Sequence, residues 1–154
     1  MEIANFWYNE VVKEIDKHKG RITKRDYKKY KLDLLIRVAR RVASFSIDCP
    51  ECQNFQIEIK NLVEHLGNLI QSPKEERKSY FRTFDNVIEH LQKHHKLIVE
   101  EENLGIWIAI GVTIGIVLGS SLDNIGAGIA IGAGIGAAIG ADLDDKARKD
   151  GKVI

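Results

Sequence analysis

One constellation in this sequence has residue types and spacing suited to chemistry. Cys49-Pro50-Glu51-Cys52 is followed, well downstream, by His90, His94 and His95. The two-residue gap between the cysteines is that of zinc knuckles, and the later histidines could complete a tetrahedral ligand set. The stretch separating them from the histidines is much longer than in a nucleic-acid-binding zinc finger. In a reducing compartment two cysteines serve more often as thiols or ligands than as a structural disulfide. Two other readings stay open: reduced thiols packed beside solvated histidines, and a redox CxxC, which lacks the βαβ pattern of thioredoxin-like sites. On a regular helix His90 and His94 lie about 40° apart, on one stripe, while His95 falls near an apolar face, so helix phase favours His90 with His94. His18 and His65 read as surface residues, and no Glu-x-x-His pair supports a di-iron centre. Neither a nucleophile triad nor a phosphate-binding loop is legible, so catalysis is not expected.

The elements that must bring these residues together read as helices. Ile3, Phe6, Trp7, Val11 and Ile15 recur at helical spacing up to a stop at Gly20. Thr23 and Asp26 resemble a capping box opening a second helix to about Phe45, with Tyr27, Tyr30, Leu34, Val38 and Val42 on one stripe and Arg37, Arg40 and Arg41 on a solvated or headgroup-facing flank. After the CPEC break, Phe55, Ile59, Leu62, Val63, Leu66 and Ile70 carry a third helix to about Gln71. Ser72, Pro73 and Glu75 start a fourth, whose apolar face holds Phe81, Phe84, Ile88, Leu91 and Ile98. This predicts a small antiparallel bundle over residues 1–102, in which the third helix runs away from Cys52 and the fourth returns past His90–His95, level with the cysteines.

From Leu104 to Ala141 the composition changes completely. Ten of the thirteen glycines lie here and Asp123 is the only charge. Gly111, Gly115 and Gly119 form one four-residue series, and Gly128, Gly132, Gly136 and Gly140 another. Each makes a stripe without side chains, which lets a second backbone approach in lipid, whereas in water each glycine costs about 1 kcal/mol against alanine. The prediction is an all-α protein whose bundle is followed by a two-helix transmembrane hairpin over residues 103–141, spans Leu104–Leu122 and Ile125–Ala141, with Ser120, Ser121, Asp123 and Asn124 at the turn. Trp107 suits an interfacial anchor. Helix 4 is expected to run almost directly into the first span, and 142–154 to form a charged tail. The second span is so small in bulk that other helices are expected to enclose it, which implies homo-oligomers; the alternative is a monomeric hairpin whose two glycine stripes face each other.

The net charge of +1 gives no electrostatic case for a nucleic-acid partner. The start has acids where a signal peptide needs bases, and no lipidation signature appears, so the bundle is expected to be cytoplasmic. Bases at Lys93 and Lys96 and at Lys146, Arg148 and Lys149, with none at the turn, predict a protein of the inner membrane with both termini in the cytoplasm.

The CPEC pair, the later HLQKHHKL, the GxxxG-dense hairpin and the ending KARKDGKVI together resemble a group of small bacterial membrane proteins, the glycine zipper family proteins. The resemblance covers roughly residues 49–154 and implies membrane residence and helix association rather than a reaction. It also keeps His95 beside His94 as an alternative ligand. Outer-membrane lipoproteins that share the name have a signal peptide and lipobox, which this chain lacks. The expected function is therefore non-enzymatic: an oligomerising membrane scaffold or effector with a zinc-stapled cytoplasmic module and a cytoplasmic protein partner. The alternatives are a holin-like pore or channel, and a membrane-tethered thiol or metal redox sensor or enzyme.

Overall fold

The computed structural model describes residues 2–69 and 72–154 and has eight helices among them. These are α1 (Glu2–Lys19), α2 (Lys24–Lys29), α3 (Leu32–Phe45), α4 (Pro50–Glu64), α5 (Leu66–Leu69), α6 (Lys74–His95), α7 (Glu102–Ser121) and α8 (Ile125–Lys149). No strand occurs among the described residues; Ile98 and Val153 form an isolated parallel bridge. The chain divides into two compact units, 1–95 and 96–154.

In the first unit α3 is the hub, packing against α1, α4 and α6. Its buried residues, Leu32, Leu35, Val38, Ala39, Val42 and Ala43, recur at helical spacing and form one wide apolar face. Val11 and Ile15 of α1, Ile59 and Val63 of α4, and Tyr80, Phe84, Val87 and Leu91 of α6 complete the core. Phe6, read from the sequence as part of that face, is 66% exposed, and the side chain of Ile3 lies outside the description. Ile70 and Gln71, the expected end of the third helix, lie outside the described residues.

Two expected helices are interrupted. Thr23 caps α2 as its spacing suggests, accepting from the Asp26 amide at 3.0 Å, but the helix stops at Tyr30. Lys31 then adopts a left-handed backbone with φ 51°, and the buried Tyr80 hydroxyl donates to the Tyr30 carbonyl at 2.8 Å. A tertiary hydrogen bond thus takes over a carbonyl at the very point where the apolar periodicity alone suggested continuation. The third expected helix likewise breaks at His65, leaving the short α5 beyond it. α6 ends at His95, where Lys96 has φ 55°, so a non-helical connection reaching a second left-handed residue, Glu101, separates it from α7.

In the second unit α7 and α8 lie antiparallel along their length, glycine against glycine. A Cβ on Gly111 would stand 2.1 Å from the Gly132 carbonyl oxygen, and one on Gly115 2.3 Å from that of Gly128. A Cβ on Gly136 would stand 2.2 Å from the Trp107 carbonyl oxygen, and one on Gly140 2.6 Å from the Leu104 Cα. Each step of four along α7 is matched by four backwards along α8, so both sequence series face each other within one chain. At the turn Asp123 is left-handed with φ 53°, and the Asn124 Oδ1 accepts from the Ala127 amide, capping α8.

α8 continues past the expected span end at Ala141 to Lys149. Beyond Ala141 it becomes a fastening. The buried Asp144 carboxylate accepts from the Leu104 amide at 2.9 Å and the Asn103 amide at 3.2 Å, which caps the first turn of α7 from the neighbouring helix. The last residues fold back: Ile98 donates to the Lys152 carbonyl and Ile154 to the Ile98 carbonyl, each at 2.8 Å.

Candidate metal centre

The centre is built at the start of α4 and the end of α6. Cys49 is the N-cap of α4 and Pro50 opens its first turn, where a missing N–H costs no helical hydrogen bond. The Cys52 amide points back at the Cys49 Sγ at 3.4 Å, so the motif orients its own first sulfur. Cys52, one turn on, faces the core and is fully buried. From α6, His90 projects inward and is 8% exposed, with its ring tilted against Phe55 at a centroid distance of 5.2 Å.

The His90 Nε2 lies 3.4 Å from the Cys49 Sγ and 3.6 Å from the Cys52 Sγ, and the His95 Nε2 lies 3.4 Å from the Cys52 Sγ. One ligand atom from each of these four residues falls within 4.8 Å of all the others. An ion with metal–sulfur bonds of about 2.3 Å and metal–nitrogen bonds of about 2.0–2.1 Å at tetrahedral angles would separate sulfur from nitrogen by roughly 3.5 Å. The three sulfur–nitrogen distances sit at that value, so the four residues can hold a metal ion. Two thiolates with two imidazoles form a soft donor set of the kind that takes thiophilic ions, zinc among them.

No known protein family, curated protein or solved structure matches this chain.

The histidines divide between two clusters. His95 joins the cysteines, its ring stacked on Phe45 at 3.9 Å and 16°. His94 is exposed, stacks on His90 at 4.8 Å, and groups instead with Glu51 and the other nitrogen of His90. Regular helix phase favours the His90–His94 pair, yet His95 reaches the sulfurs because it is the last residue of α6, just where the backbone turns aside at Lys96. His18 and His65 stay apart from both clusters. The His18 Nε2 lies 3.8 Å from the Glu14 Oε1, and the His65 Nδ1 is 2.8 Å from the Asn61 carbonyl oxygen. Phe45 and Glu51 escaped the reading from sequence, although Glu51 is inside the motif itself and an acid between two candidate ligands is a signal that could have found it.

Burial sets the electrostatics. It is the main cause that pushes the Cys52 thiol up to about 12, with the adjacent Cys49 sulfur and the Glu51 charge adding to it. A bound dication would reverse this balance by coordinating the thiolate directly. Burial also lowers His90, against a raising effect of Glu51, and lowers His95, helped by the neighbouring histidines. Both imidazoles therefore favour the neutral form, which is the form that ligates.

Proposed function

We propose that this chain is a non-enzymatic membrane protein in which α7 and α8 form a transmembrane hairpin carrying a small cytoplasmic helical module that zinc clamps through Cys49, Cys52, His90 and His95. One observation carries the membrane part. The two helices are long and apolar enough to cross a membrane, they spend their glycines on each other, and they turn Ile106, Ile114, Val117, Leu118, Ile131 and Ile135 outward. In water so large a contiguous apolar surface is a liability, while in lipid it is the natural exterior of a close-packed helix pair.

Under this reading the bilayer is the first partner, with further copies of the chain and a cytoplasmic protein as the others. The glycine series no longer argues for oligomers, since the partner of each stripe is the other helix of the same chain. The bases at both ends, and their absence from the turn, support an inner-membrane protein with both termini in the cytoplasm. Fractionation of a bacterial host tests the reading: the chain should stay in the membrane pellet through alkaline carbonate, and a tag on its N-terminus should resist protease in intact spheroplasts. Release by carbonate would overturn membrane residence, and cleavage of the tag would overturn the topology.

A further inference from the structure

Four ligands do not exhaust the candidate centre. Glu51 sits between the two cysteines in the first turn of α4, and its Oε2 lies 3.3 Å from the Nδ1 of His90. The other nitrogen of that ring faces both sulfurs, at 3.4 and 3.6 Å. We propose that Glu51 is the positioning residue of the metal centre, accepting the Nδ1 proton of His90 so that the Nε2 lone pair is held toward the two cysteine sulfurs. The inference rests on the metal-site reading above.

A neutral imidazole carries one proton on two nitrogens, and only the bare nitrogen can ligate. A carboxylate on the Nδ1 side selects the tautomer with its lone pair on Nε2, aims the ring, and strengthens it as a donor. Phe55 and His94 pack on the same ring at 5.2 and 4.8 Å, which leaves it little freedom to turn over. The Glu51 side chain is 63% exposed, so its charge stays hydrated, and its place in the first turn of α4 suits an anion. His95 has no such acid among the described contacts and is held by stacking on Phe45 instead. One four-residue segment thereby supplies two ligands and the group that orients a third.

The test uses the full chain in detergent micelles, titrated with cobalt(II) and then competed with zinc(II). Wild type should bind one equivalent with the intense visible absorption of a tetrahedral two-sulfur, two-nitrogen site. Glu51→Ala should weaken binding about 10- to 100-fold, as loss of an outer carboxylate typically does. Glu51→Gln keeps an acceptor oxygen without the charge and should fall between. Because all four ligands remain, the saturated spectrum should not change, and helicity of the metal-free chain should hold, which a merely structural role for Glu51 would not predict. His94→Ala removes a ring stacked on His90 but no candidate ligand, so the stoichiometry of one and the saturated spectrum should both hold. Equal affinity in wild type and Glu51→Ala would overturn the positioning role and leave the site standing. An altered saturated spectrum would also overturn it, because Glu51 would then be a ligand. Should Glu51→Ala lose helicity, Glu51→Gln decides the matter by the same criteria. A wild-type chain that binds neither ion overturns the site reading itself.

Discussion

Cys52 and His95 show what a ligand needs besides its donor atom. Each candidate ligand is fixed by surroundings that offer no donor atom: burial against the core for Cys52, the face of Phe45 for His95. Substitutions should separate the two histidine clusters. His95→Ala should abolish stoichiometric zinc in metal analysis of purified protein, while His94→Ala should keep it; the reverse result would move the site to the Glu51 side. Cys49→Ser should lower both zinc content and the melting temperature of the helical module, by less than the order of 10 kcal/mol seen when isolated fingers lose their metal, because this module has a core of its own. Acidification should strip the ion. In the metal-free module the folded pKa values of His90 and His95 lie below their ordinary value, so the stability that depends on neutral rings is present above about pH 6.5 and is lost as pH falls through the lowered values. Denaturation of chelator-treated protein at a series of pH values measures this directly, and stability that rose on acidification would contradict it. The cysteine pair and His90 were legible from spacing alone. The choice of His95 was not, because it depends on where α6 ends and on an aromatic ring from another helix.

At the scale of elements, the interface of α7 and α8 gives the sharpest contrast between neighbouring glycines. A Cβ on Gly132 would meet the Gly111 carbonyl oxygen at 2.1 Å, backbone against backbone, with no flexible group to yield. Two residues on, a Cβ at Gly134 meets nothing within 4 Å. Gly132→Ala should therefore push the helices apart and lower resistance of the pair to unfolding in SDS. Gly134→Ala should be neutral or add up to about 1 kcal/mol through helix propensity. Equal behaviour of the two variants would mean that the helices do not pack on this seam. The four-residue period made the stripes legible, yet it could not say whether each stripe meets its own chain or another copy, since both demand the same bare backbone. Asp144 was legible only as tail charge. Its role as the cap of α7 comes from the antiparallel register, which places the end of one helix beside the start of the other. Asp144→Ala should expose two amides that now bond a buried carboxylate, speeding hydrogen exchange at Asn103 and Leu104 about 10-fold or more, given roughly 1.5–3 kcal/mol for a hydrogen bond to a charged group.

The whole molecule joins two units built on opposite solvent logic. Residues 1–95 bury leucine, valine and aromatic side chains around α3 and leave most charges outside, the arrangement of a soluble bundle. Residues 96–154 bury glycine backbone and turn isoleucine outward, the arrangement that the proposed transmembrane hairpin requires. All four candidate ligands, together with Glu51, Phe45 and Phe55, lie in the first unit, as do the helices that position them. Among the described residues, no candidate ligand lies beyond His95. A chain cut after Leu97 should therefore be soluble, helical by circular dichroism, and able to bind one zinc with the affinity of the full protein. Residues 98–154 alone should partition into micelles and keep their helices, because the glycine seam, the Asp144 cap and the pairing of Ile98 with 152–154 are all internal to them. If the shortened first unit aggregates or loses zinc while the full chain in micelles binds it, the bundle depends on the membrane part for its fold, and the division into two self-sufficient units is wrong.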